Sequence, residues 1–214
     1  QIVGDESNTT DPLWYLGMTE LVVLSIPLVF LDVEDDVKTG NVAYLLIRPV
    51  SYLKSKFFEA MGLLVARMLI LLPAAFGFCW LFSGELPGFT FSMLVFFPFA
   101  LASGALYILF QLIVGVITFW TQDGTSLYMI IQKMIFILGG MILPLSIYPG
   151  WLREFCELTP FASMLALPVE SILNQHWTGL FMAEVKLVAW FILLSLLLKW
   201  LFQVCVRKLT LNGG

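Results

Sequence analysis

Residues 92–120 read SMLVFFPFALASGALYILFQLIVGVITFW, without one Asp, Glu, Lys or Arg. Roughly 20 apolar residues suffice to cross about 30 Å of hydrocarbon as a helix. In lipid every backbone N–H and C=O must be satisfied within the protein, so a span is either a helix or a strand of a closed barrel. Barrel strands are short and alternate in polarity; this stretch is long and uniformly apolar. Four more stretches pass the same test: Pro12–Leu31, Ala60–Phe82, Ser126–Ile147 and Leu180–Val206. The sequence therefore predicts an all-α integral membrane protein, with residues 1–214 forming one transmembrane domain of five spans.

Composition agrees. The chain is 60% hydrophobic and 12% charged, against about 45–50% and about 25% for soluble domains. A net charge of −4 argues against nucleic acid as a partner. Cys79, Cys156 and Cys205 are scattered without a CxxC, as expected of buried thiols.

Charge is concentrated between the first two spans. Residues 32–56, DVEDDVKTGNVAYLLIRPVSYLKSK, hold eight of the 26 charged residues. This segment must face water or another protein. Lys38, Arg48, Lys54 and Lys56 share its side of the membrane with Arg207 and Lys208, whereas Arg153 is the firmly placed basic residue opposite. A bias of roughly six to one makes the side of the 32–56 loop, and the C-terminus, cytoplasmic by the positive-inside rule. Five spans then place Gln1 outside with neither a signal peptide nor an initiator Met. The parity predicts six spans natively, the first absent from this chain.

The 148–179 segment is too long for a turn. Trp151, Leu152, Phe155 and Leu158 share one helical face, opposite Arg153, Glu154 and Glu157. Thr159 reads as an N-cap with Pro160 at the first helical position, opening a short helix that Pro168 should interrupt. The expectation is a helical hairpin on the outer leaflet or dipping into it, or else an ordered outer loop capping the bundle. Ala100–Gly104 and Gly139–Gly140 offer small residues for close helix packing, inside the bundle or at a dimer seam. Pro27, Pro73, Pro98 and Pro144 each remove a backbone donor and are expected to kink their spans.

Catalytic signatures are missing. GxxxxGK[ST], HExxH and GxSxG do not occur, and the single histidine, His176, cannot form a His-rich metal site. Asp32, Glu34, Asp35 and Asp36 lie among four basic residues and read as an ion-paired face rather than a metal site. No catalytic, cofactor or metal residue is assigned. Intramembrane charges are functional candidates by default. Arg67, Lys133 and Lys199 are long enough to snorkel to the headgroups. Glu20 is too short for that and must pair, protonate or face water, with Lys186 a possible partner; Gln111 is the other polar group at depth. Glu20 and Gln111 are the candidate pathway residues.

Two passages carry a resemblance. GNVAYLLIRPVS (Gly40–Ser51), after an acidic helix end, resembles the G-x-x-x-x-L-L-x-R-P signature of type-2 ABC exporter permeases (ABC-2-type). FWTQDGTSL…GGMILPLSIYPGWLREFCELTPFASMLALPVESI (Phe119–Ile172) is similar to the second half of that six-helix family: an aromatic pair ending one span, a Gly-rich span ending in I-L-P-L, then P-G-W-L and P-F. The resemblance covers about residues 13–206. It implies that Asp32–Lys56 docks on a separate ATP-binding subunit, with Gly40, Asn41, Arg48 and Pro49 on motif positions and Asp35 and Asp36 beside them. It further implies a second permease chain, identical or related, and ATP with Mg held on the partner subunit rather than here. The function this implies is transport across the cell membrane, a bacterial inner membrane being the expected setting. Alternatives from other classes are a passive channel or ion-coupled carrier, and a membrane-embedded lipid enzyme. Pore-lining polar rings, repeated broken helices and any acid–base or nucleophile cluster are all missing from the sequence.

Overall fold

A computed structural model describes residues 12–47, 49–83, 90–121, 123–141, 143–173 and 177–212. Its regular structure is helical throughout, with no strand among the described residues. The helices are α1 (Pro12–Ser25), α2 (Val29–Lys38), α3 (Asn41–Leu46), α4 (Tyr52–Ser83), α5 (Thr90–Thr121), α6 (Thr125–Leu138), α7 (Gly150–Leu158), α8 (Pro160–Met164), α9 (Ala166–Leu173) and α10 (Trp177–Asn212).

Among the described residues, four helical stretches are long and apolar enough to cross a membrane: Leu13–Lys38, Tyr52–Ser83, Val95–Thr121 and Thr178–Arg207. At 1.5 Å per residue the 32 residues of α4 and of α5 reach about 48 Å, well beyond the hydrocarbon. The span expected at 126–147 takes a different form. α6 has 14 residues, about 21 Å, and stops at Leu138, where Gly139 and Gly140 follow. Gly140 has φ +67°, a left-handed backbone that ends a helix. A single 3₁₀ turn, Leu145–Ile147, leads on to α7.

α5 is the axis of the bundle. It packs on α2, α4 and α10, and its Leu106, Ile108, Leu112, Val114 and Val116 are fully buried. α4 and α10 lie outside it with broad exposed apolar faces, such as Leu69, Ile70, Leu193 and Leu196. Exposed leucines in such numbers suit lipid rather than water. The small-residue stretch is used inside the bundle: a Cβ on Gly104 would stand 2.5 Å from Leu64 Cδ2 of α4. Pro73 and Pro98 sit within continuous helices, whereas Pro27 falls in a true interruption between α1 and α2. Cys79, Cys156 and Cys205 are buried and form no disulfide.

The 148–173 region divides in two. α7 is amphipathic and exposes Trp151, Phe155 and Leu158, the face a helix at an interface presents to lipid. Thr159 is the extended residue before α8 and Pro160 occupies its first turn, the positions the sequence predicts, but the Thr159 hydroxyl donates back to Cys156 O at 2.7 Å and makes no capping bond to α8. The interruption comes at Leu165 (φ −125°, ψ −69°) rather than at Pro168, which lies in the first turn of α9, where no intrahelical N–H bond is lost. α8 and α9 are largely enclosed, packed on α1, α5 and α10. They cap the bundle end opposite the 32–56 loop.

Candidate functional site

The charged loop is folded rather than extended. α2 continues the first span past the membrane and carries Val29, Val33 and Asp36 on one buried face. Val33 is fully buried against Gly115 of α5, where a Cβ would stand 2.7 Å from Val33 Cβ. Glu34 and Asp36, at 6% and 9% exposure, turn inward and act as tethers. Glu34 is paired with Lys38 and accepts a hydrogen bond from the Gly124 N–H at 3.2 Å, tying α2 to the α5–α6 turn. Asp36 accepts from the Tyr52 hydroxyl at 2.9 Å and forms an ion pair with Lys56 at 2.8 Å, tying α2 to the start of α4. The Tyr52 ring stacks on Phe202 of α10, centroids 5.9 Å apart. Three helices and one turn thus hold the loop in place.

The turn that receives Glu34 is itself braced. Asp123 accepts from the Thr125 N–H (3.0 Å) and the Ser126 hydroxyl (2.7 Å), capping the start of α6. The Ser126 hydroxyl and N–H hold the Asp123 carboxyl below its ordinary range. D-G-T-S at 123–126 is an N-cap signature, so this anchor had a sequence signal.

What these tethers leave free is a compact knob. Thr39 N donates to Asp35 O and Gly40 N to Val37 O, closing α2. Gly40, with φ +75° and open space where a Cβ would go, reverses the chain into the six residues of α3. Asp35, Gly40, Asn41 and Pro49 are exposed. So are Tyr44 (76%), Ile47 (82%) and Val50, apolar groups that the charge-based reading passed over. Asp36 does not join this surface, because its carboxylate is already engaged. Arg48 lies outside the described residues.

The pathway candidates separate. Gln111 is fully buried, and its Oε1 accepts from Phe30 N at 3.4 Å. From the other side of the break the Arg67 guanidinium donates to Ile26 O at 3.2 Å. A helix interrupted at membrane depth needs such donors and acceptors for its freed backbone groups. Gln111 and Arg67 are therefore bracing the Pro27 interruption, and the bond to Ile26 gives Arg67 a specific partner beyond headgroup snorkelling. Glu20 is half-buried and has no ion pair among the described residues. Lys186 is not its partner. Its ammonium lies 3.9 Å from Glu157 Oε2 and donates to Glu157 O at 3.3 Å, pinning α7 to α10.

A second non-helical stretch, 139–147, is served by α1. The Tyr15 hydroxyl donates to Gly140 O, the Thr19 hydroxyl to Met141 O at 3.1 Å, and Ala166 N to Gly139 O at 3.1 Å. Glu170 of α9 accepts from Ser146 N at 3.4 Å. Burial raises the Glu170 carboxyl above its ordinary value, partly opposed by that bond.

The chain matches the model of a family described as ABC-2 family transporter protein over residues 11–213. No curated protein and no solved structure gives a significant match. The match covers nearly the full length, and the described residues are helical with four helices able to span a membrane: the chain belongs to the ABC-2 family of transporter membrane proteins.

Proposed function

We propose that this chain is the permease subunit of an ATP-driven exporter and that the knob from Asp35 to Val50 docks on a separate ATP-binding subunit. The observation that carries the proposal is the division of the charged loop. Glu34 and Asp36 bind it to α4 and the α5–α6 turn, while Asp35, Asn41, Tyr44 and Ile47 are left facing outward. A rigid attachment transmits displacement: a push on α3 reaches α4 through Asp36, the α5–α6 turn through Glu34, and α10 through Tyr52 and Phe202. The sequence has no P-loop, so ATP and Mg would be held by the partner. The loop and C-terminus face the cytoplasm on this reading, and a second permease chain, identical or related, completes the pathway.

Exposed aromatic and aliphatic groups on a knob are the anchors that dominate protein interfaces. The Tyr44→Asp/Ile47→Asp double variant should insert normally yet lose at least about thirtyfold in ATP-binding-subunit affinity, the factor that corresponds to losing one anchor of about 2 kcal/mol. Pull-down of the ATP-binding subunit from co-expressing membranes reads this. Equal recovery with wild-type and variant chains would refute the docking assignment.

A further inference from the structure

At the loop end of the bundle a cavity of about 600 Å³ opens between α4, α5 and α10. Phe57 of α4 and Phe191 of α10 meet edge-to-face at 6.1 Å beside it. Leu109 and Leu112 of α5 form part of its lining. The apolar walls would take hydrocarbon, but the lining also includes Lys54 and Lys199, with Ser51, Ser195 and Gln203. Among the described residues several cations are engaged: Lys38 with Glu34, Lys56 with Asp36, Arg67 with Ile26 O, Arg153 and Lys186 with Glu157, whereas Lys133 is exposed without an ion pair but does not line this cavity. Lys54 and Lys199 have no ion pair among the described residues, and both are exposed. Two uncompensated cations beside a greasy cleft at a bilayer surface are complementary to one class of molecule. Basic pockets between transmembrane helices on the cytoplasmic side bind anionic lipid headgroups.

We infer that this cavity is a binding site for one anionic phospholipid, an acyl chain lying against Phe57, Phe191 and Leu112 and the phosphate held between Lys54 and Lys199. The lipid comes from the leaflet on the side of the 32–56 loop. Its position against α4 and α10, the two helices joined through Tyr52 and Phe202 to the Asp36 tether, makes it a filler of the joint that the docking knob moves. The inference rests on cavity and charge, and it stands or falls separately from the ATP-binding partner.

The test is native mass spectrometry of the purified transporter titrated with phosphatidylglycerol or phosphatidylcholine of matched chains, with inorganic phosphate as a third arm. One phosphatidylglycerol per chain should be retained in preference to phosphatidylcholine. Lys54→Gln and Lys199→Gln should each weaken it about fivefold, the effect expected of one basic residue near an anionic surface. Ser195→Phe, which narrows the apolar cleft and keeps both lysines, should also weaken retention of the lipid. Equal retention of the two headgroups, or retention unchanged by the double lysine substitution, would overturn the site. So would competition by inorganic phosphate with Ser195→Phe still binding, because the acyl chain would then play no part. A second copy of this chain in place of lipid would overturn it equally.

Discussion

Asp36→Ala is expected to cost about 3–5 kcal/mol, the range seen when one member of a mostly buried ion pair is removed, whereas Asp35→Ala should fall within about 0.5 kcal/mol of wild type. The two residues are adjacent in sequence and identical in chemistry. Asp36 holds both Lys56 and the Tyr52 hydroxyl, so its loss leaves a cation and a hydroxyl without a partner in a poorly solvated place. Asp35 is exposed, with its backbone carbonyl bonded to Thr39. Thermal unfolding in detergent separates the two variants. Transport should follow stability for Asp36→Ala, because the loop would come away from α4. Removing both charges in Asp36→Asn/Lys56→Met should be milder than Asp36→Ala alone, since the deficit comes from the orphaned partner.

The second large effect is expected at Gly140. Gly140→Val places a β-branched side chain at φ +67°, where such residues are genuine outliers and strain costs of order 1–3 kcal/mol. Space is short as well: a Cβ there meets Ala166 Cβ at 3.1 Å and the Tyr15 hydroxyl at 3.1 Å. That hydroxyl donates to Gly140 O, so the substitution also displaces the donor that satisfies the non-helical backbone. Total loss should exceed about 2 kcal/mol when strain and hydrogen bond are combined, read as a lowered unfolding midpoint. Gly40→Asn is the control. Gly40 has a similar φ but open surroundings, and Asn tolerates the left-handed region, so stability should barely change. Equal effects at both positions would contradict the packing described around 139–147.

The sequence made the long spans legible because hydropathy needs only composition and length. It also made the Thr159–Pro160 boundary legible, since the fit of Pro to a helix's first turn is local. The burial of Asp36 was within reach: Val29, Val33 and Asp36 fall at i, i+4 and i+7 once α2 is taken to run on to Lys38. Ending the span at Leu31, where hydropathy falls, hid that register. Gln111 was visible as a polar group at depth, but its use as a brace for the Pro27 interruption depends on α5 lying beside α2, which no local signal gives. Lys186 illustrates the same limit. Its partner, Glu157, lies 29 residues away and meets it only because α7 packs on α8, which packs on α10.

Coupling through the 35–50 knob is tested most directly by contact. A photo-reactive phenylalanine analogue placed at Tyr44 or at Ile47, in membranes that also contain a co-expressed ABC-type ATP-binding subunit with which the chain supports transport, should cross-link to that subunit on illumination. The same analogue at Leu196, on the lipid-exposed face of α10, should not. Cross-linking from Tyr44 and Ile47 only to lipid or to other copies of this chain would contradict the account.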